Sequence, residues 1–274
     1  MQVINTNMGS LNAQRALTTT QEAQQTAMER LSSGSRINRA KDDAAGLSVA
    51  DNMTAQIRGL NQAVRNTNDG ISYVQTVEGA LDEVTQMMHR LRELAVQANG
   101  DVLNGLQKDY IDTEAQALST EIANIMDNTE FNDITVFHAS QQVIQTGWES
   151  GDVMTIGITE TLDANLETMI TNFSLDLTDG SSNLAGSISG IDTALDAVNK
   201  ARSQLGAQQN RMEHNASNLR NVSENISASR SRILDTDFAA ESAELARTNV
   251  LQQAGMAMLS QANQSGQQVL SLLR

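Results

Sequence analysis

The chain has 274 residues, a formal net charge of −15, only 3% aromatic residues, and neither proline nor cysteine. Without cysteine there is no disulfide framework, thiolate metal site or cysteine nucleophile, and so acidic a chain does not favour binding to nucleic acid phosphates, which requires clustered basic side chains. Proline removes an amide donor and clashes with the preceding helical turn, so its absence permits long uninterrupted helices, and the composition indicates an elongated helical body.

The first eight residues, MQVINTNM, lack the basic and apolar regions of a cleaved secretory signal. No run of about 18 apolar residues predicts a membrane span. These features alone predict a cytoplasmic protein without membrane insertion.

A heptad series of apolar residues runs through residues 50–98, with one phase shift between residues 71 and 77. This spacing predicts a single helix over about 44–98 that packs as a coiled coil and is roughly 80 Å long. Gly70 and Gly79 are expected to weaken it by about 1 kcal/mol each relative to alanine.

A second helix is predicted over about 106–127, and Phe131-Asn132-Asp133 breaks its pattern. The runs 134–137, 142–146 and 153–158 are β-like, and Glu149–Asp152 is typical of a turn between the last two. We therefore predict a small β-hairpin region at about 131–160.

Another heptad series begins at Ile188 and continues to Ile233, with polar residues interrupting it at positions 202, 209, 223 and 230. Two long apolar seams, one in each half of the sequence, can bury each other as an antiparallel pair. The predicted fold class is mainly α, a long antiparallel coiled-coil helical bundle with a small β-hairpin region.

The two ends of the chain carry apolar residues of a different pattern. Those in residues 238–273 cover more than one side of a helix, which requires several neighbours. Other subunits are expected to complete these surfaces, and an ordinary terminal helical hairpin is the alternative. The predicted subunit-assembly residues are Leu11, Leu17, Leu31, Phe238, Leu245, Val250, Met256, Leu259 and Leu270.

Charge is uneven along the chain. Residues 101–200 contain 17 acidic side chains and only Lys108 and Lys200 as basic ones, whereas both flanking segments are nearly neutral. Near-neutral ends suit packing against other chains, and an acidic middle suits a solvated face.

Several long motifs make the sequence resemble bacterial flagellin, the filament subunit of the flagellum. The resemblance covers about residues 1–137 and 188–274, and the intervening fifty residues indicate a short form that lacks the outer variable domains. The motifs are ERLSSGSRINRAKDDAAGLSVA at 29–50, NQAVRNTNDGISYVQTVEGAL at 61–81, RELAVQA at 92–98, LGAQQNR at 205–211, SRILDTDFAAE at 231–241 and LSQANQ at 259–264.

This resemblance implies a structural subunit that self-assembles as a helical homopolymer into the flagellar filament used for swimming motility. Residues 1–42 with 235–274 would form an inner filament-core coiled coil, and residues 43–234 would form a helical rod domain. The family also implies type III export without a cleaved signal, an extracellular location in place of the cytoplasmic one, and an export chaperone, cap and junction proteins as partners.

Many flagellins are sensed by a Toll-like innate immune receptor through the RELAVQA helix and the next helix. The matching positions here are Arg90, Leu94, Gln97 and Glu114. Together these four residues would form a contact site with an apolar centre at Leu94 and a polar rim. The same residues could instead serve subunit packing alone.

No arrangement of residues predicts catalysis, a metal site or a cofactor. His89 and Glu93 lie four apart on a helix, but no further ligand is nearby in sequence, so surface positions are expected. Asp42 and Asp43 could be paired carboxylates, but at a helix start they are expected to cap the first turn and favour the helix dipole. The protein is not predicted to be an enzyme.

The sequence leaves two alternative functions open. A hook–filament junction protein has similar terminal helices, but such proteins commonly carry a proline in the DD-containing motif, which here reads KDDAAG at 41–46. A cytoplasmic coiled-coil signalling rod would form a soluble helical bundle that does not polymerise.

Overall fold

The computed structural model describes residues 7–100, 103–137, 141–158 and 184–272, and within these ranges the chain is mainly helical, as predicted. No helix in these ranges is long and apolar enough to cross a lipid bilayer. The elements in chain order are α1 (Met8–Ser33), α2 (Ala44–Ala98), α3 (Gly105–Asn128), β1 (Glu130–Phe131), β2 (Ile134–Thr135), β3 (Gln142–Gln145), β4 (Val153–Ile156), α4 (Leu184–Leu234) and α5 (Phe238–Leu272).

The chain divides into two compact units. Unit 1 comprises Met1–Ile57 with Glu224–Arg274, and unit 2 comprises Arg58–Ser223. Helices α2 and α4 each contribute residues to both units. The main apolar core lies in unit 2, where α2, α3, α4 and the β-strands supply its side chains.

Polar side chains mark the ends of several helices. Asn7 caps α1, since its side-chain oxygen accepts a hydrogen bond from the amide of Ser10 at 3.1 Å. Gly34 ends the same helix in the left-handed conformation, with φ of 72°. Asn104 starts α3 with a capping box, in which its side chain and that of Gln107 exchange hydrogen bonds with each other's backbone amides. These caps satisfy amides that lack partners within the helix.

Helices α2 and α4 are antiparallel in unit 2, as the two apolar seams predicted. Arg92 near the end of α2 pairs with Asp192 near the start of α4, with Nε and Oδ1 at 2.6 Å. At the opposite end, Ser223 of α4 donates to Asn61 of α2 at 3.2 Å. Between these contacts, the fully buried side chains include Val74, Val77, Leu81, Met88, Ile191, Leu205 and Met212.

Three of the four polar interruptions in the α4 heptad series make contacts with α2. Arg202 pairs with Asp82 at 3.0 Å, Ser223 bonds to Asn61, and Arg230, within unit 1, donates to the hydroxyl of Thr54 at 3.3 Å. Because such bonds form only when defined residues lie opposite each other, they favour one register of the two helices.

The first hairpin differs from its prediction. The run 134–137 was expected to be a strand, but only Ile134–Thr135 is extended, and it pairs with Glu130–Phe131, where the pattern was expected to break. Asn132 and Asp133 form the turn with φ of 53° and 62°. Both central residues of such a tight hairpin turn need positive φ, which Asn and Asp adopt more readily than most residues.

The second hairpin is confirmed. Strands β3 and β4 pair antiparallel from Gln142 opposite Ile156 to Gln145 opposite Val153. Along β4 the side chains alternate, since Met154 and Ile156 are buried and Val153 is half exposed. This period of two places one face of the hairpin on the core.

Gly70 on α2 allows this second hairpin to approach the helix. A Cβ atom at this position would clash with Ile144 of β3 and would lie 3.1 Å from the sulfur of Met212. Gly79 has nothing within 4 Å of such an atom. From the sequence, both glycines are expected only to weaken the helix, but Gly70 also has a packing role.

Candidate functional site

Helices α1 and α5 pack antiparallel in unit 1. At one end, the side-chain amide of Asn7 donates to the carbonyl of Ala262 at 2.9 Å. At the other end, Arg30 lies 3.7 Å from Glu241 in an ion pair. The terminal helices of the chain therefore form a hairpin-like pair with each other.

The contact between α1 and α5 contains small and polar residues together with Leu17. Ala27 of α1 is 0% exposed and Thr248 of α5 is 1% exposed. Leu17 packs against Gly255, where a Cβ atom would lie 2.8 Å from its nearest methyl carbon. Gln24 donates to Asn249 at 2.6 Å. The side chains of unit 1 helices α1 and α5 that are fully buried here are thus an alanine and a threonine, and neither is large.

The predicted assembly residues divide into two groups in the structure. Leu17, Leu31, Leu245 and Leu259 are half-buried. Leu11, Phe238, Val250 and Met256 are exposed by 39%, 56%, 64% and 60%. The side chain of Leu270 lies outside the described residues.

Further exposed apolar side chains of unit 1 were absent from the predicted set. Met258 is 65% exposed, and Met8, Met28 and Leu251 are exposed by 51%, 46% and 45%. Met256 belongs to the predicted set, and Met28, Leu251 and Met258 lie in the same two apolar terminal segments. The signal that identifies the methionines is their recurrence in both segments. We call the exposed side chains of α1 and α5 together the terminal apolar surface: Met8, Leu11, Met28, Phe238, Val250, Leu251, Met256 and Met258.

The terminal apolar surface extends over more than one side of α5. Met256 and Met258 are two positions apart, and residues at this spacing do not face the same side of a helix. Gly255, the residue before Met256, lies against Leu17 of α1. Apolar side chains therefore flank the α1 contact on both sides, as the prediction of several neighbours requires.

The two breaks that precede α2 and α5 lie side by side in unit 1. Ser35 and Asp235 form an antiparallel β-bridge. The amide of Thr236 donates to the carbonyl of Gly34 at 3.0 Å, and the guanidinium of Arg36 donates to the carbonyl of Ile233 at 2.8 Å. Backbone hydrogen bonds thus join the segment after α1 to the segment after α4.

Asp42 and Asp43 have separate structural roles. Asp43 caps α2, since its side chain accepts from the amide of Gly46 at 2.8 Å. Asp42 instead accepts from the amides of Arg39 and Asn38 at 3.0 and 3.2 Å. The pKa of Asp42 lies below its ordinary value of 3.8, and the hydrogen bond from the amide of Arg39 is the largest cause. The capping prediction is thus confirmed for Asp43, and Asp42 closes the preceding loop.

A charged cluster joins α2 and α3 in unit 2. Arg90 donates to one carboxylate oxygen of Glu114 from Nε and Nη2 at 3.0 and 2.9 Å, and to Glu93 from Nη1 at 3.0 Å. These hydrogen bonds, that to Glu114 first, raise the pKa of Arg90. These three hydrogen bonds orient the guanidinium between the two carboxylates.

Leu94 was expected to be an exposed apolar residue beside this cluster, and this expectation is wrong. Its side chain is 1% exposed and belongs to the core of unit 2. Gln97 is exposed on the same helix, as are Arg90 and Glu114. The heptad pattern placed Leu94 on the helix, but the arrangement of α3 and α4 determines that it faces inward.

Among the described residues, no group of three or more His, Cys, Asp or Glu side chains is placed to hold a metal ion. His89 is exposed on α2.

Comparison with known proteins identifies related sequences over nearly the whole chain. Residues 4–142 match the family model for the bacterial flagellin N-terminal helical region, and residues 188–273 match that for the bacterial flagellin C-terminal helical region. A flagellin of Halalkalibacterium halodurans is 46% identical over 99% of this chain and 100% of its own length. A flagellin of Bacillus subtilis is 39% identical over 99% of both chains.

A solved structure supports the fold. A putative flagellar hook-associated protein from Vibrio parahaemolyticus is similar with a TM-score of 0.59. The match covers 71% of this chain and 100% of that one at 14% sequence identity. At this identity the likeness concerns the helical architecture alone.

Proposed function

The chain belongs to the bacterial flagellin family and is a structural subunit of the flagellar filament, and we propose that copies of it assemble through the terminal apolar surface of α1 and α5. The single observation that carries this proposal is the exposure of eight large apolar side chains on two helices whose fully buried residues, Ala27 and Thr248, are small. Exposed apolar patches of this kind indicate interaction sites.

Hydrophobic burial would drive this assembly. Removing apolar surface from water stabilises a contact by roughly 25 cal/mol per Å². Phe238, Val250 and Met256 are each more than half exposed in the single chain, so each has area to bury against a neighbour. The occupant of the surface in this proposal is a second copy of the same chain.

We also propose residues 1–42 and 235–274 as the inner filament-core domain and residues 43–234 as the rod domain. The two bridged breaks, at residues 34–43 and 235–237, support a boundary near residues 42 and 235. Family membership supports export through the flagellar type III apparatus without a cleaved signal. It also supports an export chaperone, the filament cap and junction proteins as partners.

Removal of residues 240–274 tests the assembly surface. The truncated chain should keep the helical core of unit 2 and stay monomeric under conditions in which the full chain forms filaments. Circular dichroism reports the fold, and sedimentation with electron microscopy reports polymerisation. Filaments formed by the truncated chain would contradict the proposal.

A point substitution gives a matched control for this deletion. Val250→Asp introduces a charge into the terminal apolar surface, whereas Val143→Asp introduces the same charge at an equally exposed valine of β3. Only Val250→Asp should abolish filament formation, because burial of an unpaired charge is strongly unfavourable. Equal loss in both variants would show that the terminal helices have no special role.

We propose in addition that the face formed by Arg90, Gln97 and Glu114 binds a Toll-like innate immune receptor, with Leu94 beneath it. The observation that favours this is the orientation of the Arg90 guanidinium between two carboxylates. A preorganised side chain loses less conformational freedom on binding.

Arg90→Ala tests this receptor contact. It should weaken binding of the monomer by about 1–3 kcal/mol if Arg90 is a hot spot. Arg65→Ala is the control, because Arg65 is an exposed arginine of the same helix whose hydrogen bonds to described residues lie within α2. Unchanged signalling by Arg90→Ala in a receptor reporter assay would contradict the proposal. Leu94→Ala is a poorer test, since it opens a cavity in the core.

A further inference from the structure

The methionines of the described residues differ sharply in exposure between the two units. Exposed methionines all lie on the terminal helices of unit 1, and buried ones all lie in unit 2. The exposed residues are Met8, Met28, Met256 and Met258, and the buried ones are Met88, Met126, Met154 and Met212.

We infer that the four exposed methionines are sites of reversible sulfur oxidation and that their oxidation in the free subunit blocks filament assembly. This inference rests on the proposed function, because it takes the terminal apolar surface as the assembly surface. The oxidant is hydrogen peroxide. One peroxide oxygen forms a bond to the thioether sulfur, which loses two electrons and becomes a sulfoxide. The O–O bond breaks, and the second oxygen takes both peroxide hydrogens and leaves as water.

Exposure determines which methionines react. Oxidation of a thioether requires that the oxidant reach the sulfur, so the four residues on α1 and α5 should react faster than those in the core of unit 2. The chain has no cysteine, so no thiol competes for the peroxide. In the filament the same four side chains would be covered by neighbouring subunits, so the free subunit is the sensitive form.

The sulfoxide group would oppose assembly because it is polar. Burial of a polar group without a hydrogen-bond partner is unfavourable, and oxidation disrupts interfaces that contain several methionines. Met256 and Met258 face different sides of α5, so both sides of the surface would carry a sulfoxide. A subunit oxidised at these positions would therefore fit poorly against each neighbour.

The experiment begins with the full-length free subunit. It is treated with hydrogen peroxide until peptide mass spectrometry shows one added oxygen at each exposed methionine, the peroxide is removed with catalase, and elongation of filament seeds is followed by sedimentation. Elongation should be about tenfold slower or more, and methionine sulfoxide reductases should restore it. An unchanged rate in the oxidised subunit, or no recovery after enzymatic reduction of the sulfoxides, would overturn the inference.

A variant with leucine at positions 8, 28, 256 and 258 provides the matched comparison. Leucine is similar in volume to methionine and cannot form a sulfoxide. Whatever the untreated elongation rate of this variant, peroxide should change that rate by less than about twofold, because the reactive sulfurs are absent. A loss equal to that of the unsubstituted chain would place the damage elsewhere and overturn the inference.

The same assay separates this inference from the proposed function. If untreated Val250→Asp elongates filaments normally, the terminal apolar surface is not the assembly surface and both fail. If Val250→Asp is inactive and the oxidised subunit elongates normally, assembly through this surface stands and only the oxidation inference fails.

Discussion

Unit 1 and unit 2 are both built from long helices, but they bury different kinds of side chain. Among the described residues, the buried apolar side chains of unit 1 are Ala27, Ile37 and Ala50. The core of unit 2 instead contains large residues such as Leu81 and Met212. Full burial of a leucine or methionine side chain contributes about 1.5–3 kcal/mol, and alanine contributes less.

The difference indicates that one part of the chain is stabilised by its own core, whereas another part provides the surface for assembly. Unit 2 has a core of large apolar side chains, so it has the features of an independently stable body, although it also exposes Leu106, Tyr110 and Trp148. Unit 1 has small and polar residues together with Leu17 in the contact between α1 and α5, and it keeps large apolar side chains at its surface. Under the proposed function, unit 1 gains most of its stabilisation when other subunits cover that surface.

The largest expected effect is a contrast between two leucines. Leu81→Ala, at a fully buried position of unit 2, should lower the free energy of unfolding by about 2–5 kcal/mol. Leu251→Ala, at a position 45% exposed in unit 1, should change it by less than about 0.5 kcal/mol in the monomer. Urea denaturation followed by circular dichroism measures both. A large loss for Leu251→Ala would show that unit 1 has a substantial core of its own.

A smaller contrast concerns the two glycines within α2. Gly70→Ala should destabilise unit 2 by about 1–3 kcal/mol, since its methyl group would collide with Ile144. Gly79→Ala should stabilise the helix by about 1 kcal/mol, because the site is open and alanine is the better helix former. Thermal unfolding of both variants gives the comparison. Equal effects would mean that the hairpin does not pack closely on α2.

The smallest effect concerns pH and the loop before α2 in unit 1. The pKa of Asp42 lies below its ordinary value of 3.8 in the folded chain. A carboxyl group whose pKa is lower when folded stabilises the fold above its unfolded pKa, and this contribution is lost as the pH falls through the folded pKa. The amide resonances of Arg39 and Asn38, which donate to this carboxylate, should therefore titrate with a midpoint below 3.8 in NMR spectra.

Asp42→Asn is the control for this titration, because it removes the ionisable group and keeps an acceptor oxygen. The two amide resonances should then show no midpoint in this range. A midpoint at or above 3.8 in the unsubstituted chain would indicate that the loop does not hold the carboxylate as described.

Much of the helical architecture was predictable because its signals are local. The heptad series placed a helix over 44–98, and α2 spans Ala44–Ala98. The predicted limits of α3 and of the β3–β4 hairpin differ from the structure by one or two residues. The two-residue strand β1 was missed, because a segment this short has no periodicity to detect.

The candidate sites were only partly predictable for a related reason. Val250 and Leu245 are both apolar residues of one helical segment, yet Val250 is exposed and Leu245 is half-buried. Their difference depends on where α1 lies along α5. No pattern within residues 238–272 contains that information.

The sequence by itself determined the long helices, their antiparallel pairing, the second hairpin and the resemblance to flagellins, because periodicity and long motifs can be read along the chain. Only the tertiary structure decided that Leu94 is buried, that Gly70 leaves room for the second hairpin to pack on α2, and that the exposed methionines belong to unit 1. These properties depend on distances between side chains that are far apart in sequence, and such distances are defined only when the helices have packed.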